Sequence, residues 1–124
     1  MISFNEKYLI VMAGGAFGSV ARYIASTAAL SYLPGRFPFG TLLVNVIGCF
    51  LIGAISPLLT AYPNWRLLLV VGFLGGYTTF SAFAYETYMS VRSGNPFIGL
   101  LNVVTSVALG YLAVWLGAIS VGRR

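Results

Sequence analysis

The sequence of 124 residues has no histidine, a single cysteine and only two acidic residues, Glu6 and Glu86. Zinc and iron–sulfur centres therefore lack their usual ligands, and nucleophilic catalysis lacks its usual bases. Charged residues make up 7% of the chain, whereas about 25% is typical of soluble proteins. The seven basic residues lie mostly at the ends of apolar segments, where they anchor a membrane protein and predict no nucleic-acid binding. These absences exclude a soluble domain and argue against an enzyme.

Hydrophobic residues, by contrast, make up 59% of the chain and gather in four long segments. Each segment approaches or exceeds the roughly 20 residues that a helix needs to cross a lipid bilayer. The first segment has no small-residue cleavage pattern after it, which favours a span over a signal peptide. Short connections with proline and glycine make consecutive helices antiparallel neighbours. We therefore predict one all-α, four-helix transmembrane domain over residues 1–124, with spans at about 9–33, 41–62, 67–91 and 97–121.

The third span contains a poor helix interior, Gly-Gly-Tyr-Thr-Thr-Phe-Ser at 75–81. Glycine adds backbone freedom, and threonine hydroxyls compete for backbone partners. We predict that the helix ends near Gly75 and begins again near Thr79. At membrane depth the freed carbonyl groups need protein, a polar cavity or an ion. With no carboxylate nearby in sequence, a monovalent cation suits them better than a divalent one; the alternative is a break sealed by threonine hydroxyls and water.

Two polar residues inside the spans need a reason to be there. Thr41, Asn45 and Gly48 share one helix face, and the Asn45 amide has neutral N–H donors that suit an anion. The alternative for Asn45 is a helix–helix hydrogen bond, worth about 0.6 kcal/mol on average. Arg22, in the second half of the first span, either extends to the membrane surface or faces a wet vestibule.

Aromatic and polar residues also share faces in the last two spans. Phe80 and Phe83 lie three positions apart, on a face with Thr87 and, less directly, Glu86. Rings in a membrane span usually pack or face lipid, but their positive edges can also meet an anion. A similar polar face in the last span holds Asn102, Thr105 and Ser106.

Small residues and charges predict how the helices pack and insert. Gly14-x-x-x-Gly18 and Gly72-x-x-x-Gly76 are faces that let helix backbones approach closely. Four spans place both termini on one side of the membrane, and that side is more basic. It carries Lys7, Arg66, Arg123 and Arg124, against Arg36 and Arg92 on the other, which Arg22 can also reach. So weak a bias leaves two alternatives open, a single orientation or insertion both ways with pairing of opposed copies.

Three motifs together resemble the Fluc (CrcB-type) fluoride channels. They are Gly-Ser-Val-Ala-Arg-Tyr at 18–23, Gly-Thr-Leu-Leu-Val-Asn-Val-Ile-Gly at 40–48 and Gly-Phe-Leu-Gly-Gly-Tyr-Thr-Thr-Phe-Ser-Ala-Phe at 72–83. The resemblance covers all four spans. It implies an antiparallel, dual-topology homodimer in the bacterial inner membrane, with two fluoride pores and a structural sodium ion at the dimer centre.

The resemblance also implies roles for individual residues at the matching positions. Asn45, Phe80 and Phe83 would line the fluoride path. The polar track beside the rings would hold Thr41, Glu86 and Ser106, and Arg22 would lie near the aqueous vestibule. Sodium would be bound by the backbone carbonyls of Gly75 and Thr78. The chain departs from the family pattern at Asn102, where a tyrosine is common, and at Ala82, where a small hydroxyl residue is common.

The function expected on these grounds is a passive fluoride channel, not an enzyme, that lets fluoride leave the cytoplasm and gives fluoride resistance. The main alternative is a small four-helix exporter of drugs or cations. Such an exporter needs a membrane carboxylate, usually in the first span, where this chain has Arg22. A lipid kinase would need several carboxylates to bind magnesium. A purely structural subunit would leave the break and Asn45 unexplained.

Overall fold

The computed structural model describes residues 3–122, and within that range the chain contains helices and no strand. Helix α1 covers Phe4–Tyr32, and α2 covers Phe39–Ile55 with a 3₁₀ continuation at Ser56–Leu59. The third span consists of α3, residues 63–77, and α4, Phe80–Arg92. The last helix, α5, covers Pro96–Ser120. Arg123 and Arg124, which are predicted to lie on the side of the termini, are outside the described residues.

Four stretches are long and apolar enough to cross a membrane, as the sequence predicts. They are Phe4–Tyr32, Phe39–Leu59, Pro63–Arg92 and Pro96–Ser120. The first begins before the apolar segment because Ser3 and Glu6 cap it reciprocally. The Ser3 N–H donates to Glu6 Oε2 at 2.6 Å, and the Glu6 N–H donates to Ser3 Oγ at 3.4 Å.

Helices α1 and α3 cross through the two predicted glycine faces. A Cβ atom added at Gly14 would overlap the Leu68 carbonyl oxygen, and one added at Gly76 would lie 2.6 Å from the Gly15 carbonyl oxygen. Side chains at these positions would force the helices apart, so the predicted close packing is confirmed. The α2–α5 crossing is similar, since a Cβ atom at Gly117 would overlap the Phe50 carbonyl oxygen.

The third span changes geometry along its length. Its first turn, Pro63–Arg66, is α-helical, but Leu67–Leu74 is a π-helix, a rare form that is often found at functional sites. A last short α-helical segment, Gly75–Tyr77, precedes the break.

The break consists of two extended residues, Thr78 and Thr79, with φ/ψ of −85°/157° and −150°/119°. The predicted interruption of the third span is therefore confirmed, but the first half ends at Tyr77 and not at Gly75. Gly75 and Gly76 remain helical, since the backbone groups released from the helix are those of Thr79, which pair with Asn45. Thr79 begins α4 by accepting a hydrogen bond from the Ala82 N–H at 3.2 Å.

Candidate functional site

Asn45 on α2 is joined to the break by two hydrogen bonds. Its Nδ2 donates to the Thr79 carbonyl oxygen at 2.9 Å, and its Oδ1 accepts the Thr79 N–H at 2.8 Å. The amide thus satisfies both backbone groups of an extended residue where water is scarce. The partner of Asn45 is therefore the extended break, not a second helix as in the alternative interpretation, and the second hydrogen of Nδ2 remains for a ligand.

Arg22 on α1 contacts the other residue of the break. Its Nη1 donates to the Thr78 carbonyl oxygen at 3.3 Å. The Thr78 hydroxyl and N–H both turn back to the Leu74 carbonyl oxygen, at 2.9 and 3.0 Å, and close the end of α3. Arg22 is therefore a half-buried partner of the break, and no ion pair joins it to an acidic side chain among residues 3–122.

One side of the break forms a groove that we call the aromatic groove, defined by Asn45, Phe80, Phe83 and Ser106. It is a cavity of about 380 Å³ whose walls also include Gly75 and both break threonines. The ring centroids of Phe80 and Phe83 lie 5.5 Å apart at an interplanar angle of 53°. Phe80 is 79% exposed, so its ring has no packing partner that would hold it in a core. Four of the six residues predicted for the fluoride path meet here.

The other side forms a second groove, the polar groove, defined by Arg22, Thr41, Ser81 and Glu86. Its volume is about 600 Å³. The Thr41 hydroxyl donates to Glu86 Oε1 at 2.6 Å, whereas Glu86 Oε2 is buried and has no partner among the described residues. The remaining predicted path residues, Thr41 and Glu86, therefore lie together but away from the rings. Thr79 lines both grooves and separates them.

The sequence does not predict two of the hydrogen-bond partners in this region. Thr79 is the residue that Asn45 binds, and its only sequence signal is its place after Thr78 in the break. Thr87, noted only as sharing a face with the rings, accepts a hydrogen bond from the buried Asn102 at 3.0 Å. A lone asparagine in an apolar helix is the signal for such a partner.

The break also offers backbone oxygens. In a continuous helix the Thr79 N–H would donate to the Gly75 carbonyl group, but here it donates to Asn45. The Thr78 carbonyl oxygen accepts one hydrogen bond, from Arg22, and a carbonyl oxygen has two lone pairs. Residues 3–122 contain no group of three or more histidine, cysteine, aspartate or glutamate side chains that could hold a metal ion. A cation bound here would therefore rely on carbonyl oxygens.

Four apolar spans, one of them broken where polar side chains converge, define a small polytopic membrane protein with the architecture of an ion site. The chain belongs to the CrcB-like protein family, Camphor Resistance (CrcB), whose family model matches residues 9–118.

Relatives named Fluoride-specific ion channel FluC are similar over nearly the whole chain. The protein of Solibacter usitatus is 57% identical over 121 residues, which are 94% of this chain and 99% of the relative. That of Acidobacterium capsulatum is 48% identical, covering 95% of this chain and 97% of the relative. That of Rhizobium etli is 45% identical, covering 88% and 90%.

Proposed function

We propose that this chain is a fluoride-selective channel of the bacterial inner membrane, which lets fluoride leave the cytoplasm passively and so gives fluoride resistance. The observation that carries the proposal is the 57% identity, over 94% of the chain, to a relative named Fluoride-specific ion channel FluC. The geometry of the break supports it, because neutral donors and two aromatic rings line one groove where the third span is open.

Fluoride is small and strongly hydrated, so its path has to replace water with hydrogen-bond donors and positive edges. In the aromatic groove these are the second Nδ2 hydrogen of Asn45, the ring edges of Phe80 and Phe83, and the Ser106 hydroxyl. None of these groups carries a full charge, which favours passage over trapping. Beyond Thr79 the path would continue along Thr41 and Glu86.

Arg22 would supply the positive charge at the vestibule. Its guanidinium group lines the polar groove and is held there by its hydrogen bond to the Thr78 carbonyl oxygen. With no acidic side chain paired to it among residues 3–122, its charge is free to attract an anion toward the break.

A second copy of the chain would enclose the path. In one chain the aromatic groove is open along a side, and Phe80 is 79% exposed in it. A ring edge acts on an anion most strongly when water is excluded from the site. We propose an antiparallel, dual-topology homodimer, because the weak charge bias allows both orientations.

A sodium ion would sit at the dimer centre, held by the carbonyl oxygens of Gly75 and Thr78. The Thr79 N–H, which would donate to the Gly75 carbonyl group in a continuous helix, donates to Asn45 instead, and the Thr78 carbonyl oxygen keeps one lone pair beside its bond from Arg22. With no carboxylate nearby in sequence, these oxygens suit a monovalent ion better than a divalent one. Bound sodium would offset the partial negative charge where α3 ends. Exchange of sodium for a large organic cation should weaken the dimer or stop flux, and returning sodium should restore both. If dimer assembly and fluoride flux do not depend on any small cation, the proposed sodium site is wrong.

The exporter alternative finds less support. Glu6 is engaged in the cap at the start of α1, and Glu86 is bonded to Thr41 in the third span. The first span thus has no free carboxylate to exchange protons for cations among its described residues.

Fluoride efflux from liposomes that contain the purified protein tests the function. A fluoride electrode should record rapid release, whereas chloride and nitrate should stay inside. A cationic-dye exchange assay on the same liposomes tests the exporter. Dye exchange without fluoride release would support the exporter function and contradict the channel function.

A further inference from the structure

Asn102 on α5 is one of the two largest fully buried side chains in the described structure, at 1% exposure. A buried amide needs partners for both ends, and Asn102 finds them on two helices. Its Nδ2 donates to Thr87 Oγ1 on α4 at 3.0 Å. Its Oδ1 accepts from Ser106 Oγ, one turn further along α5, at 3.4 Å.

The direction of these bonds follows from the number of protons. Thr87 has one hydroxyl proton and donates it to the Phe83 carbonyl oxygen at 2.8 Å. The group that faces Thr87 must therefore be a donor, which places the NH₂ end of Asn102 there and turns Oδ1 toward Ser106. Ser106 must then be the donor in the second bond.

Ser106 differs from its neighbours in where its proton goes. Thr87, Ser90 and Thr105 each donate to the carbonyl oxygen four residues earlier, at 2.8 to 2.9 Å. Serine and threonine side chains in helices commonly donate to this carbonyl oxygen of the preceding turn. Ser106 instead donates to the Asn102 side chain over 3.4 Å, longer than the usual 2.7–2.8 Å of an O–H···O bond. Its proton is the most weakly held of the four.

Resting on the proposed function, we propose that Asn102 is a positioning residue for fluoride: it draws the Ser106 hydroxyl off the helix backbone and keeps its proton available to the aromatic groove. Ser106 lines that groove with Asn45 and the two rings, whereas Asn102 is buried behind it. An anion beside Ser106 would accept a hydrogen bond from a hydroxyl group whose present bond, to Asn102, is long and weak. Asn102 thus acts through Ser106 and does not touch the ion.

Asn102→Leu tests this inference, because leucine has the same branching and number of side-chain heavy atoms and removes the amide. Ser106 would then donate to the backbone carbonyl of position 102, like its neighbours, and hold its proton more tightly. The fluoride concentration that gives half-maximal flux in liposomes should rise roughly fivefold, about what one neutral hydrogen bond corresponds to. In a Ser106→Ala background the same substitution should leave this concentration unchanged.

A purely structural Asn102 predicts another pattern: thermal stability and maximal flux fall, half-saturation stays the same, and the loss persists without the Ser106 hydroxyl. That pattern, or a lower half-saturating concentration, overturns the inference. Thr105→Val is the matched control, since it removes the neighbouring backbone-bonded hydroxyl and should behave like the wild type. If Asn102→Leu prevents folding, Asn102→Ala takes its place. Alanine is smaller, and the half-saturating fluoride concentration should again rise. A wild type that passes no fluoride fails the proposed function itself, which separates the two failures.

Discussion

At the scale of single residues, the Asn45 side chain pairs with the backbone of Thr79 as a neighbouring β-strand would. Its amide nitrogen donates to the Thr79 carbonyl oxygen, and its oxygen accepts the Thr79 N–H. An unpaired backbone group at membrane depth costs several kcal/mol, by rough estimate. The Asn45 side chain therefore allows the third span to adopt an extended backbone conformation at Thr79.

Asn45→Asp should disrupt this pairing. Aspartate still accepts the Thr79 N–H but cannot donate to the carbonyl oxygen, and its carboxylate repels both that oxygen and an anion. Because the Thr79 carbonyl group is left unpaired, thermal stability should decrease, and because the carboxylate repels the anion, fluoride efflux should fall by roughly tenfold or more. The control is Asn95→Asp, the same change in a partly exposed residue before α5, whose side chain accepts from Arg36 and donates to the Ser93 carbonyl oxygen. Wild-type efflux in Asn45→Asp would contradict the assignment.

The rings of Phe80 and Phe83 give a second prediction at this scale. Isoleucine keeps apolar volume but removes the positive ring edge. Phe80 is so exposed that Phe80→Ile should fold normally in the single chain. We expect fluoride efflux to fall severely in Phe80→Ile or Phe83→Ile, with an unchanged oligomer on size exclusion.

A matched control is Phe97→Ile, at the start of α5, where the ring is 72% exposed and lies outside both grooves. If all three variants conduct alike, the rings in the aromatic groove only pack.

At the scale of the elements, the four spans follow from apolar runs whose length only a helix in a bilayer explains. The break also follows from its glycines and threonines, but it starts later than predicted because Asn45 pairs with the backbone of Thr79, while the glycines stay helical. The π-helix Leu67–Leu74 could not be predicted, since an apolar run has the same composition in either helical form.

The partners of the break could not be predicted either. Asn45 and Thr79 are 34 positions apart, and Arg22 and Thr78 are 56 apart. Local sequence indicates that Asn45 and Arg22 need partners, but only the packing of the helices determines which groups they find.

Gly48→Ala tests how closely α2 must approach the break. A Cβ atom at Gly48 would overlap Thr78 Cγ2, and turning Thr78 away would break its hydroxyl bond to Leu74. We expect a loss of about 1–3 kcal/mol in stability, as for overpacking in a core, and a lower fluoride flux.

The control is Gly110→Ala, also in a membrane helix, where a new Cβ atom would lie 3.6 Å from Cys49 Sγ, an ordinary contact. Equal effects of the two substitutions in thermal unfolding would mean that the approach of α2 to Thr78 is not special.

At the scale of the whole molecule, the proposed dimer depends on insertion in both orientations. Ala61→Lys with Asn64→Lys adds positive charge where α2 connects to the first turn of α3, and Tyr32→Lys with Leu33→Lys adds it at the end of α1, on the opposite side of the membrane. Each pair should fix one orientation. Either variant alone should lose fluoride efflux, and co-expression of both should restore it.

Protease accessibility of tags should show the fixed orientation in each variant. Full efflux from either variant alone would rule out the antiparallel dimer while leaving the channel itself standing.

The most direct test of the central claim, passive and selective fluoride conduction, is the reversal potential of the purified protein in a planar bilayer. With a tenfold fluoride gradient and equal chloride on both sides, the current should reverse at about 59 mV, the value for a monovalent ion. It should not shift when proton or cation gradients are imposed. A current that reverses at zero, or one that follows a proton or cation gradient, would contradict the account.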